Sequence, residues 1–125
     1  WFLYAAIAVW GILVYDAAIA LYPEIPGTGA RAFHFGLGNF IMWVNVLLLG
    51  GYTFGCHALR HLVGGNVDCW SCTKFGQTRH KLWSIVTKFN EKHMQWAWSS
   101  LISVALTDFY IYWLSTHVTT YQPWL

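Results

Sequence analysis

FIMWVNVLLLGGYTFGCHALRHL, residues 40 to 62, joins two kinds of chemistry in one run. Its first half is almost wholly apolar, interrupted only by Asn45, and reads as the middle of a membrane-spanning helix. About 20 apolar residues suffice to cross the hydrocarbon core. Its second half passes through Gly50, Gly51 and Gly55, which permit close helix approach, and ends on Cys56, His57 and His61. Counted from Ala32 to Leu62, the stretch is longer than a span needs. Its C-terminal end is therefore expected to emerge from the bilayer.

Two further apolar runs flank it. Trp1 to Leu21 is a span with one acid, Asp16; it lacks the basic start and small-residue cleavage site of a signal peptide. The polar, amphipathic run from Lys81 to Lys92 leads into a third span, whose apolar part is Met94 to Leu114. Pro23 to Gly29 and Gly64 to Asp68 break the chain between helices. The expectation is an all-α transmembrane bundle of three spans, about 1–21, 32–62 and 93–117, in a single membrane-anchor domain over 1–125. The chain begins at Trp1 inside an apolar run, and further residues are expected beyond both ends.

Composition agrees with lipid as the solvent. The chain is 57% hydrophobic and 10% charged, against roughly 25% charged in soluble domains. A net charge of +2 and the lack of any nucleic-acid-binding motif argue against a nucleic-acid partner. Six of the seven Lys and Arg, from Arg60 to Lys92, fall in one connecting segment. The positive-inside rule puts that 60–92 segment and the N-terminus in the cytoplasm, with the protein multi-pass in the inner (plasma) membrane.

The segment 55–72, GCHALRHLVGGNVDCWSC, gathers Cys56, His57, His61, Cys69 and Cys72. His57 and His61 are four residues apart, so one helical face would present both. Cys69 and Cys72 form a CxxC pair, and three Cys in one stretch do not resemble a secreted disulfide framework. His57, His61, Cys69 and Cys72, with Cys56 in reserve, are the expected metal ligands. Three occupants are weighed, in this order of preference. A two-iron two-sulfur cluster of Rieske type would place two Cys on one iron and two His on the other. Haem b would pair His57 or His61 with His93. Structural zinc would use the same Cys2His2 set.

Residues 51 to 65, GYTFGCHALRHLVGG, resemble the CH…RH segment of actinobacterial-type membrane anchors of succinate dehydrogenase. Thr87 to Trp98 and Ser103 to Tyr110 are similar to the same anchors. The resemblance covers the second and third spans. It implies a cytochrome b-like anchor subunit of a succinate:quinone oxidoreductase, itself inactive toward succinate. Such an anchor would hold an iron–sulfur subunit and a flavoprotein subunit to the membrane, beside a second membrane anchor subunit, and pass electrons to a quinone. The rival reading is a non-redox membrane scaffold clamped by zinc.

The quinone headgroup is expected near Arg60, His93, Trp96 and Ser99, where the electron donor would arrive. Four ionisable residues, Asp16, His34, Asp108 and His117, fall toward the outer side and are candidates for a proton path or second quinone pocket. Asp108 lies roughly 20 Å along the third helix from His93, too far for a first acceptor.

Overall fold

The structure is a computed structural model that describes residues 1–24 and 29–117. Part of the expected turn, 25–28, and the tail 118–125 lie outside the described residues. Among the described residues the chain is helical and without strands. Its helices are α1 (Phe2–Ala20), α2 (Leu37–Phe54), a one-turn α3 (His57–Arg60), a π-helical turn (His61–Gly65), α4 (Gly76–Glu91) and α5 (His93–His117). Helices α1 and α2 are each long and apolar enough to cross a membrane. Helix α5 has 25 residues, about 37 Å of rise. Gln95, Ser99, Ser100, Ser103, Thr107 and Asp108 make it less apolar than the other two.

The first and third expected segments coincide with α1 and α5. The second does not run from 32 to 62 as one helix. It starts only at Leu37, because the chain before it is extended and paired through an isolated antiparallel bridge between Glu24 and Arg31. It stops at Phe54 because the backbone turns at Gly55 and Cys56, whose N–H groups return to Gly51 and Thr53 carbonyls. The Gly55 carbonyl freed by that turn accepts the Asn90 side-chain amide at 2.7 Å. A partner from α4 thus satisfies the end of α2, as an exposed helix terminus requires.

Helix α2 is central and packs along both α1 and α5. Its buried side chains are largely polar: Asn39, Asn45 and Thr53, with Ser100 and Thr107 from α5. Asn45 donates to Thr107 Oγ1 at 2.6 Å, and Thr107 donates to the Ser103 carbonyl at 2.8 Å. On the other flank Trp10 Nε1 donates to the Val46 carbonyl at 3.0 Å. The outside is apolar, with Phe2, Leu47, Met94, Leu101 and Phe109 exposed. Polar groups inside and aromatic or aliphatic groups outside are what a helix bundle adopts in lipid, where packing and interhelical hydrogen bonds replace the hydrophobic drive.

Gly51 shows how close the packing is. A Cβ there would sit 2.6 Å from the Trp96 ring, so α5 can place an indole against the α2 backbone only because the residue is glycine. A Gly51→Val variant is expected to lose about 1–3 kcal/mol of stability, measured by unfolding in detergent. The Asn45–Thr107 pair, tested by a double-mutant cycle with Asn45→Leu and Thr107→Val, is expected to show a coupling of about 0.6 to 1.7 kcal/mol.

Candidate functional site

The break after α2 builds the site. With the backbone turning at Gly55 and extended at Cys56, His57 and His61 lie beyond the end of α2 rather than on one of its faces. His57 opens α3, and His61 opens the π-helical turn. Both still line one cleft of about 230 Å³, with Arg60, Gly65 and Trp83. The Arg60 guanidinium is fixed there. Its Nε donates to Thr87 Oγ1 at 3.0 Å, and its Cζ lies over the Trp83 ring, 5.0 Å from the ring centre, within the range of a cation–π contact. Thr87 in turn donates to the Trp83 carbonyl at 2.7 Å.

His93, the first residue of α5, comes to the same end of the bundle. It stacks on Tyr52 with ring centres 4.7 Å apart and stands 6.0 Å from the His57 ring. Its Nδ1 is buried without a hydrogen-bond partner, and so are Trp96 Nε1 and Thr53 Oγ1. Buried polar atoms are normally paired. These three orphans, one on α2 and two on α5, are hydrogen-bonding groups that the described residues leave unmet. Trp96 also stacks on Phe89 at 6.0 Å.

The CxxC loop is docked onto the His-bearing turn. Trp70, between the two cysteines, lies where a Cβ on Gly64 would have to be. It packs against His80 at 5.1 Å and Trp83 at 6.1 Å. Arg79 clamps the π-helical turn, donating to the Val63 carbonyl at 2.8 Å and to Asn66 Oδ1 at 3.1 Å. Cys69 and Cys72 are joined as a disulfide, and Cys56 is a free, half-buried thiol. Among the described residues no three of His, Cys, Asp or Glu converge on one point. The expected ligands therefore stand as two separate pairs, His57 with His61 and Cys69 with Cys72, at one end of the molecule.

Of the expected quinone residues, Arg60, His93 and Trp96 gather at this end, whereas Ser99 is exposed. The buried hydroxyl is that of Ser100, which donates to the Ala97 carbonyl at 2.9 Å. Helical spacing accounts for it: Trp96 and Ser100 fall three and seven positions after His93, on one face, and Ser99 does not. Tyr52, Thr53, Trp83 and Thr87 complete the site. They carried no sequence signal beyond being aromatic or hydroxylic within helices. Of the outer four, Asp16 and Asp108 line one cavity between α1, α2 and α5. His34 and His117 do not. His34 Nε2 is buried without a partner, and His117 stacks on Trp113 at 5.5 Å.

An Arg79→Ala variant removes two hydrogen bonds from a charged donor, each of the class worth about 1.5–3 kcal/mol. Amide exchange across residues 63–67 is expected to quicken at least tenfold while α1 and α2 keep their protection, read by hydrogen-exchange mass spectrometry.

The comparisons with known proteins bear on this geometry. The family of the actinobacterial succinate dehydrogenase subunit SdhC matches residues 1–117. No curated protein matches the chain. Among solved structures it is similar to a chain of the Mycobacterium smegmatis Sdh1 complex in the apo form, at 38% identity and a TM-score of 0.81. The similarity covers 95% of this chain and 42% of that one, so this chain spans less than half of its relative's length.

Proposed function

The chain belongs to the actinobacterial succinate dehydrogenase SdhC family, and on that premise we propose that it anchors a succinate:quinone oxidoreductase and passes electrons to a membrane quinone. The single observation that carries the quinone role is the pair of unpartnered, buried nitrogens on one face of α5, Trp96 Nε1 and His93 Nδ1, the latter on a ring 6.0 Å from that of His57 in the Arg60 cleft. A quinone headgroup offers carbonyl acceptors on a flat apolar ring, and stacked Tyr52, Trp96 and Phe89 offer matching faces. Trp96 Nε1 donates to one carbonyl. His93, with its ring held by Tyr52, supplies a proton at Nδ1 as the headgroup is reduced. Arg60, held by Thr87 and Trp83, stabilises negative charge developing nearby.

Helices α1, α2 and α5 are the three spans, and the basic 60–92 segment faces the cytoplasm. There α4 docks the iron–sulfur subunit, which carries the flavoprotein, and further membrane-spanning structure stands beside the three spans. The donor chemistry suits a two-iron two-sulfur centre. His57 and His61 would hold one iron, and Cys69 and Cys72, in their dithiol state, the other, with Cys56 the neighbouring thiol. The seating of Trp70 on the turn that carries His61 supports this set, because it keeps both ligand pairs on one rigid piece. Such a centre supplies one-electron transfer when bound. The chain's own part is to hold the two pairs and to keep the loop closed through Arg79.

A Trp96→Phe variant keeps the ring and loses the donor. It is expected to lower quinone reduction about tenfold, the equivalent of one hydrogen bond of about 1.4 kcal/mol, while succinate oxidation by a soluble dye is unchanged. Normal quinone reduction in that variant and in His93→Ala would remove the site from this end. For the metal, the purified complex is expected to contain iron and acid-labile sulfide assigned to this subunit, lost in His57→Ala with His61→Ala. Stoichiometric zinc in their place would refute the iron–sulfur assignment. Lys81 and Lys88 are expected to react with an impermeant amine reagent only from the cytoplasmic face.

A further inference from the structure

Helices α1 and α5 each pack along α2 rather than on one another. Between them runs a groove with a cavity of about 330 Å³, floored by Met42 and Asn45 and walled by Leu13, Asp16, Thr107 and Asp108. Two observations single it out from ordinary lipid-facing surface. Asn45 is only 8% exposed, and its Oδ1 has no hydrogen-bond partner although its amide nitrogen is committed to Thr107. At the rim, Asp16 and Asp108 are exposed on two different helices yet line the same cavity. Helices α1, α2 and α5 contain no Lys or Arg to answer them.

Lipid does not satisfy this groove. Acyl chains carry no donor, so they would leave a buried carbonyl oxygen unmet and two carboxyls against hydrocarbon, each an unfavourable state. The remaining lining is aliphatic, including Val9, Leu13, Val46 and Val104, so the occupant must be apolar along most of its length. It must also bring donors at the level of Asn45. Among the residues of α1 only Leu3 and Ala17 are buried, as expected of a helix packed on one side and open on the other. In the similar mycobacterial chain, the larger part lies outside the match.

We propose that the groove between α1 and α5 seats a further transmembrane helix, equivalent to one in the uncovered part of the mycobacterial chain, which presents a Lys, Arg, His or amide donor to Asp16, Asp108 and Asn45. This rests on the membrane-anchor reading and not on the metal or quinone assignments. Placed there, the helix closes a four-helix arrangement around α2 and gives all three acceptors a partner at one depth.

The test is photo-crosslinking in the intact, membrane-extracted complex, with p-benzoylphenylalanine replacing Leu13 at the groove wall and, separately, Leu47 on the exposed side of α2. The Leu13 probe is expected to attach to an apolar peptide that bears a donor residue and aligns with the uncovered part of the mycobacterial chain. The Leu47 probe is expected not to reach that peptide. Asp16→Leu combined with Asp108→Leu is expected to cut the yield at least fivefold, whereas the Asp→Asn pair is expected to retain most of it. A Leu13 adduct found only on lipid or quinone, or on a peptide without a donor, overturns the proposal, as does an undiminished yield in the Leu pair. The cytoplasmic lysine labelling reads the anchor topology separately, so a failure of either can be told from a failure of the other.

Discussion

The hydrogen bond from Asn45 to Thr107, 2.6 Å long and buried, is the constraint on which the rest of the bundle depends. It fixes both the height and the rotation of α5 against α2. Once those are set, Trp96 meets Gly51 and His93 meets Tyr52. The opposite flank is registered by Trp10, which donates to Val46 one residue further along α2. In a bundle whose outside is apolar, exclusion from water cannot choose between rotations of a helix. Directional bonds and close backbone approach choose instead.

The second determinant is the early end of α2. Had the helix continued to Leu62, the His57 and His61 rings would have ridden on a long rod above the other helices. The turn at Gly55, held by Asn90, folds that segment back onto α4. Arg60 then reaches Thr87 and Trp83, and the CxxC loop closes over Gly64 through Trp70. Sharp departures from α-helical geometry, such as the π-helical turn at His61–Gly65, often occur at functional sites. Here the π-helical turn begins at His61 and carries Gly64, on which Trp70 of the CxxC loop is seated.

Polarity divides the molecule along its length. Basic residues collect on α3, the CxxC loop and α4, Asp16 and Asp108 lie at the far level of α1 and α5, and neutral polar groups fill the contacts of α2. This separation suits a membrane anchor subunit of the SdhC family. Charges on exposed helices and loops act in water, while acids on an apolar helix require neighbours that bring donors.

The sequence by itself determined the helical class, the membrane as solvent, the identity of α1 and α5 as long helices, the single basic segment and the family. The family rests on the resemblance of the CH…RH segment at residues 51 to 65; the others follow from composition and from patterns repeated over about 20 residues, where local propensity and lipid solvation act on every position alike. It also placed His57, His61, Cys69 and Cys72 together, with Arg60, His93 and Trp96 at the same end of the molecule. Only the tertiary structure decided that Ser100 and not Ser99 faces inward, that the cysteines stand as a bonded pair apart from the histidines, and that Asp16 and Asp108 share a cavity. Each of those depends on the rotation of one helix against another or on a single break at Gly55. Such features are set by a few long-range contacts, Asn45 with Thr107 and Asn90 with Gly55 among them, between residues 62 and 35 positions apart, and no local pattern encodes them.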